Sequence, residues 1–204
     1  MSRHLDELTE RFGKLASCRR EIEAAFELLA ESFRMGGKLL ICGNGGSAAD
    51  AEHWSSELLK GFCLPRPLTA EQAANLPGEL SASLQRALPA LPLTSFISAG
   101  TAFSNDVRPE YALAQLTFAL GGEGDALAGL STSGNAANVC FAMDVANAMG
   151  LSTIALTGRD GGRLAGKAKV AIRAPETETH RVQELHLPIY HCLCLMLEEE
   201  FFGK

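Results

Sequence analysis

The first residues with chemical potential form a run of small and polar side chains, Gly43-Asn-Gly-Gly-Ser47, between an apolar segment and a helix-forming one. Glycines let a backbone approach an anion closely, and the first turn of a following helix offers N–H groups and a favourable dipole. Ser47 adds a hydroxyl donor. The spacing matches neither the dinucleotide-binding nor the Walker fingerprint. A tight strand-to-helix turn would use the same residues, so the run alone leaves both interpretations open.

A second polar run, Ser131-Thr132-Ser133-Gly-Asn135, also lies between an apolar segment and a helical one. Its hydroxyl groups could cap the helix or bind a phosphate. Two such loops at neighbouring strand ends favour the phosphate. Neither loop contains a lysine, so a monophosphate ester fits better than a nucleoside triphosphate.

Two helices carry side chains suited to acid–base or metal chemistry. His53 and Glu57 are four residues apart and share a helix face, where they could bind one metal, form an acid–base pair or simply pair at the surface. Gln183 and His191 are eight apart on the last helix, about 12 Å along its axis. One straight helix can hardly give both to a single metal, so a neighbouring chain supplies one of them or one has another role. His186 is expected to be a packing or solvent-exposed histidine.

Apolar segments alternate with glycine-containing turns and helical segments along the chain. This order predicts an α/β fold, a three-layer, doubly wound, five-stranded parallel sheet with helices on both faces. Ligands bind such sheets beyond the carboxyl ends of the strands, where both polar runs lie. The strands are expected over residues 38–42, 92–98, 125–130, 152–156 and 170–173.

Two further segments flank this pattern within what we expect to be a single domain over residues 1–204. Residues 1–36 carry an apolar stripe at helical spacing, which predicts one long amphipathic N-terminal helix. Residues 63–90 are expected to be an inserted loop with one or two short helices, anchored by Leu80, Leu84 and Leu88.

The composition excludes several classes of protein. The 204 residues are 47% hydrophobic and 21% charged, with a net charge of −6, which is typical of a globular domain. No basic run indicates a nucleic-acid partner, and no uninterrupted apolar stretch indicates a membrane span. Six cysteines in a chain of this length do not predict a disulfide scaffold. We therefore expect a soluble, cytoplasmic protein with reduced thiols.

Four motifs in order carry a resemblance: CGNGGSAADAEHWSSEL from Cys42, STSGN from Ser131, LTGRDGG from Leu156, and the last helix from TETHRVQELH to His191. They resemble the sugar isomerase (SIS) domain family and, within it, the phosphoheptose isomerases. The resemblance covers nearly the whole chain apart from residues 63–90. It implies a flavodoxin-like sheet and a homotetramer, or a dimer, with active sites at subunit interfaces.

The same resemblance implies roles for individual residues. Glu57 matches the catalytic base and His191 the catalytic acid. One zinc ion per active site would be bound by His53, Glu57, Gln183 and His191. Ser47, Ser131, Thr132 and Ser133 would bind the phosphate, and Asn44 and Asp106 would hold sugar hydroxyls. Gly45, Gly46 and Gln183 complete the implied substrate-binding residues.

The implied activity is an aldose–ketose isomerisation of sedoheptulose 7-phosphate to D-glycero-D-manno-heptose 7-phosphate through an enediol, which supplies bacterial heptose and lipopolysaccharide synthesis. One alternative is an isomerase for another ketose phosphate. The other is a non-catalytic module that senses a phosphosugar or binds the replication initiator DnaA. Paralogues of that kind lack parts of the acid–base set, whereas this chain keeps it, which favours the enzyme.

Overall fold

The computed structural model describes residues 3–203, in which five parallel strands form one sheet with helices on both faces. The predicted α/β fold is therefore confirmed. The strands are β1 (Leu39–Cys42), β2 (Ala90–Pro92), β3 (Ala126–Ser131), β4 (Ser152–Thr157) and β5 (Val170–Arg173). The helices are α1 (Arg3–Arg11), α2 (Arg19–Arg34), α3 (Gly46–Leu59), α4 (Ala70–Ala73), α5 (Gly78–Ser83), α6 (Ile97–Asp106), α7 (Ala112–Leu120), α8 (Ala137–Ala148), α9 (Gly162–Ala165) and α10 (Thr179–Phe202).

The strand order β2-β1-β3-β4-β5 places the change of winding direction between β1 and β3. In this arrangement the chain leaves neighbouring strands toward opposite faces, and a crevice opens outside their carboxyl ends. The register pairs Leu39 with Ala126 and Cys42 with Gly129. Both polar loops follow directly, so the fold puts them on the two sides of that crevice.

Alternating side chains of the strands form two apolar cores. Leu39 and Ile41 of β1 point to a core shared with α1, α2, α3 and α10. Leu40 and Cys42 point to the opposite core, which α7, α8 and α9 cover. Because both faces are covered, β1 and β3 are buried along their whole length.

The N-terminal segment is not the single helix predicted over residues 1–36. Helix α1 ends at Arg11, a 3₁₀ turn follows over Gly13–Cys18, and α2 begins at Arg19. Phe12 has φ −124° and ψ 69°, which interrupts the helix just before Gly13. Apolar side chains of all three pieces face the same core, so the stripe survives the break: Leu5, Leu8, Leu15, Ile22 and Leu29. Residues 1 and 2 of the predicted helix lie outside the described residues.

The second strand also differs from the prediction over residues 92–98. It spans Ala90–Pro92, pairs with β1, and gives way to a 3₁₀ turn over Leu93–Ser95. Proline lacks the N–H that a central strand needs. β2 lies at the edge of the sheet, where Pro92 is tolerated as its last residue.

The segment 63–90 contains α4 and α5, but its predicted anchors are wrong in part. Leu80 and Leu84 are each 47% exposed, whereas Leu88 is buried. Their helical spacing does not produce a buried face because α5 ends at Ser83, before Leu84.

A buried ion pair anchors the segment instead. Arg66 donates from Nε to Glu198 Oε1 at 2.8 Å and from Nη1 to the carbonyl of Leu58 at 2.8 Å. The Glu198 carboxylate also accepts backbone N–H bonds at 2.7–2.9 Å from Phe62, Cys63 and Leu64. Burial opposes ionisation of Glu198, but these hydrogen bonds hold its pKa below the usual value.

The two ends of the segment are tied together. The N–H of Arg86 donates to the carbonyl of Arg66 at 2.7 Å, and Pro67 forms an isolated antiparallel bridge with Gln85. The residues between them therefore leave and re-enter the fold at one place.

The six cysteines are unpaired, with Cys63 exposed and the others buried. Within residues 3–203, no helix combines the length and apolar character that crossing a membrane requires.

His186 provides a test of the packing under α10. Its ring is fully buried and its Nε2 lies 3.2 Å from the carbonyl oxygen of Thr157, while Nδ1 has no partner. Burial lowers the pKa of His186 from 6.5 to about 4. The unfolded chain therefore binds more protons between these pH values, and stability falls as the pH drops from 6.5 toward 4.

We expect the wild type to lose about 2 kcal/mol of unfolding free energy through His186 between pH 7 and pH 5. Urea unfolding at both pH values measures the loss. His186→Gln, which cannot take a charge, should remove that part of the pH dependence. The surface variant His180→Gln serves as control and should keep the wild-type pH dependence of the unfolding free energy. An unchanged pH dependence in His186→Gln would contradict the assignment.

The Arg66–Glu198 pair generates a second prediction. Arg66→Met should lower the unfolding free energy by about 3–5 kcal/mol, because it removes one partner of a buried pair. The matched control is Lys167→Met, which breaks the partly exposed pair with Asp144 and should cost less than about 1 kcal/mol. Denaturant unfolding compares the two, and equal small losses would show that Arg66 is not the anchor.

Candidate active site

The first polar loop turns sharply into α3. Gly45 has φ 54°, a left-handed backbone conformation that side chains disfavour. The turn is closed by the N–H of Ser47, which donates to the carbonyl of Asn44 at 3.0 Å. Ser47 lies buried in the first turn of α3, and Asn44 is exposed. The loop therefore presents backbone and a hydroxyl group at the amino end of a helix, as a phosphate requires.

Gly46 allows a side chain of α10 to reach this loop. A Cβ atom at Gly46 would lie 2.5 Å from Nε2 of Gln183 and 2.9 Å from its Oε1. The amide of Gln183 thus rests against the α3 backbone, and any larger residue at position 46 would displace it.

The second loop combines the two roles that its sequence left open. The Ser131 hydroxyl accepts the N–H of Ala136 at 3.4 Å, and the Ser133 hydroxyl accepts the N–H of Asn135 at 3.1 Å. A hydroxyl that accepts keeps its own proton for donation. Ser131 and Ser133 can therefore shape the loop and still donate to an anion.

The turn that follows β4 supports this loop from behind. The N–H of Gly158 donates to the carbonyl of Thr132 at 2.9 Å, and the N–H of Leu164 donates to the carbonyl of Gly134 at 2.9 Å. These bonds explain how the third glycine-rich motif contributes, since it holds the hydroxyl-bearing loop in place.

A pair of amides joins the two sides of the crevice. Asn44 Nδ2 donates to Oδ1 of Asn138 at 2.9 Å, and Asn138 Nδ2 donates back at 2.8 Å. Asn138 lies on α8 and was not singled out from the sequence, where it follows the second loop without a distinguishing motif. Each amide retains one N–H for a ligand. Oδ1 of Asn138 also accepts the N–H of Val139 at 3.0 Å, so only Asn44 keeps a free lone pair as well.

Three of the four predicted metal ligands meet between α3 and α10. His53 Nε2 lies 3.2 Å from Glu57 Oε1 and 3.5 Å from Nε2 of His191. Lys60 Nζ lies 2.9 Å from the second carboxylate oxygen of Glu57. Gln183 touches α3 at Gly46, about two helical turns from His53. The structure therefore brings His53, Glu57 and His191 together and places Gln183 nearer the phosphate loop.

The environment adjusts the acid–base character of this cluster. Burial and the neighbouring His53 lower the pKa of His191, while the Glu57 carboxylate opposes the shift. A neutral imidazole can both accept and donate a proton near neutral pH. Glu57 is largely shielded from solvent, with 13% of its side chain exposed.

Two residues behind His53 were missed in the sequence. The hydroxyl of Tyr190 lies 3.0 Å from His53 Nδ1 and 3.3 Å from Asp50 Oδ1. The Tyr190 ring stacks on Trp54, with centroids 5.7 Å apart and planes 14° apart. The signal available in the sequence was their spacing, since Asp50 precedes His53 by three residues on α3 and Tyr190 precedes His191 directly.

Asp106 is the predicted site residue that lies apart. It ends α6, is exposed, and accepts a hydrogen bond from Asn105 at 2.9 Å. Within the described residues, no hydrogen bond connects Asp106 to either polar loop.

The donor atoms around His53 are of the kinds that zinc binds. Zinc prefers imidazole and carboxylate ligands at 2.0–2.2 Å in a tetrahedron, whose edges are then about 3.3 Å. The separations of 3.2 Å and 3.5 Å around His53 Nε2 match two such edges. Within residues 3–203, no group of three or more His, Cys, Asp or Glu side chains is arranged to hold a metal ion. The donor chemistry of His53, Glu57 and His191 fits zinc, whereas the amide of Gln183 rests against Gly46 and not at this cluster.

Comparison with known proteins identifies the family. The SIS domain family matches residues 3–158. The phosphoheptose isomerase of Akkermansia muciniphila is 36% identical over 96% of this chain and 94% of its own length. The phosphoheptose isomerase of Chromohalobacter salexigens is 40% identical over 90% of this chain and 85% of its own length. A solved phosphoheptose isomerase from Neisseria gonorrhoeae superposes with a TM-score of 0.71 at 34% identity, covering 95% of this chain and 98% of the other. The chain belongs to the SIS domain family, in its phosphoheptose isomerase branch.

Proposed function

We propose that this chain is an aldose–ketose isomerase that converts sedoheptulose 7-phosphate to D-glycero-D-manno-heptose 7-phosphate. The observation that carries the proposal is that Glu57 and His191 both contact His53, on helices that also border the phosphate loop. Ser47 and Glu57 are ten residues apart on α3, about 15 Å along its axis. This separation suits an extended sugar phosphate with its phosphate at one end and its carbonyl at the other.

The chemistry assigned to the cluster is a proton transfer between neighbouring carbons. Glu57 removes a proton from C1, beside the C2 carbonyl, and returns it to C2 after the enediol forms. His191 donates a proton to the carbonyl oxygen and accepts one from the neighbouring hydroxyl. Positioned acid and base groups typically contribute about 10²–10⁴-fold each.

The phosphate loops provide binding energy away from the reacting carbons. Ser47, Ser131, Thr132 and Ser133 hold the phosphate, and this fixes where the carbonyl end can lie. Asn44 already faces the crevice through its pair with Asn138 and retains one N–H and one lone pair for a sugar hydroxyl.

We assign the zinc ligands as His53, Glu57, Gln183 and His191. When bound, zinc would polarise the substrate oxygens as a Lewis acid. Ligation by Glu57 competes with its action as a base, and the ion pair with Lys60 competes with both.

The proposed enzyme works in the cytoplasm as a homotetramer, or a dimer, and supplies heptose for bacterial glycans. Exposed apolar side chains on and beside α6 and α7 support an assembly, with Ile97 and Phe118 70% and 64% exposed. Asp106 lies in this region, apart from its own chain's crevice, which fits a residue delivered to a neighbouring subunit's site.

The acid–base assignment predicts a loss of turnover without loss of fold. Glu57→Gln and His191→Ala should each lower kcat for sedoheptulose 7-phosphate by about 10²–10⁴-fold. NMR measures turnover, and incorporation of solvent deuterium next to the carbonyl should disappear in Glu57→Gln. The assay is run with and without added zinc.

Glu52→Gln is the matched control because Glu52 lies on the same helix but pairs with Ser95. It should keep the wild-type rate. Full activity of Glu57→Gln would remove Glu57 from the mechanism. Wild-type turnover of a different ketose phosphate alone would change the substrate and leave the reaction class intact.

The phosphate assignment predicts a binding defect. Ser47→Ala should raise KM for the phosphosugar by about 10-fold or more, because a hydrogen bond to a charged group is worth about 1.5–3 kcal/mol. The effect on kcat should be smaller. Ser83→Ala, an exposed serine on α5, is the control. Equal KM values for the two variants would show that Ser47 does not bind the phosphate.

A further inference from the structure

Tyr190 occupies a position that its packing alone does not explain. Its side chain is fully buried, and its ring stacks on Trp54. A phenylalanine would pack in the same way, yet this residue carries a hydroxyl into the gap between α3 and α10. The hydroxyl lies 3.0 Å from Nδ1 of His53 and 3.3 Å from Oδ1 of Asp50.

The number of protons on these groups sets the direction of the hydrogen bonds among Asp50, Tyr190 and His53. An ionised carboxylate only accepts hydrogen bonds, and a tyrosine hydroxyl has one proton to donate. Both contacts can form as hydrogen bonds at once with a neutral His53 only when Tyr190 donates to Asp50 and its oxygen accepts from His53. Nδ1 of His53 then carries the ring proton, and Nε2 is left with a lone pair.

That lone pair points toward other electron-rich atoms. Glu57 Oε1 lies 3.2 Å and His191 Nε2 lies 3.5 Å from His53 Nε2. A lone pair facing a carboxylate at this distance is repulsive unless a cation or a donated proton lies between them. By holding the ring proton on Nδ1, the Tyr190 hydroxyl leaves Nε2 of His53 unprotonated and able to bind a cation.

We propose that Tyr190, backed by Asp50, is a positioning residue that holds His53 in the Nδ1–H tautomer and so presents Nε2 as a preformed ligand for a divalent cation. Partners behind a metal-binding histidine fix its tautomer and orientation, and their loss typically weakens metal binding about 10–100-fold. The identity of the cation rests on the proposed function, whereas the tautomer does not.

The test is Tyr190→Phe, which removes the hydroxyl and keeps the stacked ring. In the metal-free protein, long-range ¹H–¹⁵N NMR reads the His53 tautomer, assigned by the signals lost in His53→Gln. We expect the wild type to be Nδ1–H and the variant to shift toward Nε2–H. Competition with a chromophoric chelator should show about 10–100-fold weaker zinc binding.

Tyr111→Phe is the matched control, because Tyr111 packs on Phe141 of α8. It should change neither readout. Asp50→Asn is a second variant, since its amide nitrogen can donate to the Tyr190 oxygen and free the hydroxyl proton for Nδ1. It should shift the tautomer in the same direction as Tyr190→Phe.

Each result decides one part of the proposal. An unchanged tautomer in a folded Tyr190→Phe protein overturns the positioning role. A shifted tautomer with unchanged zinc affinity overturns its link to the metal. A wild type that binds no zinc overturns the zinc site of the proposed function, and the tautomer measurement then decides the role of Tyr190 by itself.

Discussion

The packing of α3 against α10 is the constraint on which the site depends. Helix α3 carries Ser47, His53 and Glu57, and α10 carries Gln183 and His191. The stacked rings of Trp54 and Tyr190 hold the two helices in contact near the middle, and the bonds of Arg66 to Glu198 and to the end of α3 hold them at the far end. Sliding one helix by a single turn would separate the acid from the base.

The sequence predicted the parts of the fold whose local pattern agrees with their tertiary setting. Four strands were placed close to their observed bounds because buried runs ending in glycine turns have few other interpretations. The pattern could not place β2, because a proline-containing edge strand has only three residues. Nor could it detect the break at Phe12, since a 3₁₀ turn can keep an apolar stripe facing the core.

The candidate site was predictable where one motif contains the chemistry. Both polar loops were placed at strand ends by their own residues. The contacts that arrange the site are long-range, and spacing along the chain does not encode them. Asn138 pairs with Asn44 across the crevice, and Tyr190 reaches His53 from another helix. The role of Arg66 as a buried anchor could not be predicted for the same reason, because its partner Glu198 lies more than a hundred residues away.

The closed ends of the segment between Arg66 and Arg86 have a practical consequence. The carbonyl of Arg66 accepts the N–H of Arg86 at 2.7 Å, so the two ends of this segment stay together. The length of the chain between them therefore has little effect on the rest of the fold. Doubling a flexible loop costs only about 0.6 kcal/mol in closure entropy. The tips around α4 and α5 are therefore suitable places to graft an epitope, attach a fluorophore or open new termini by circular permutation, with the catalytic helices left undisturbed.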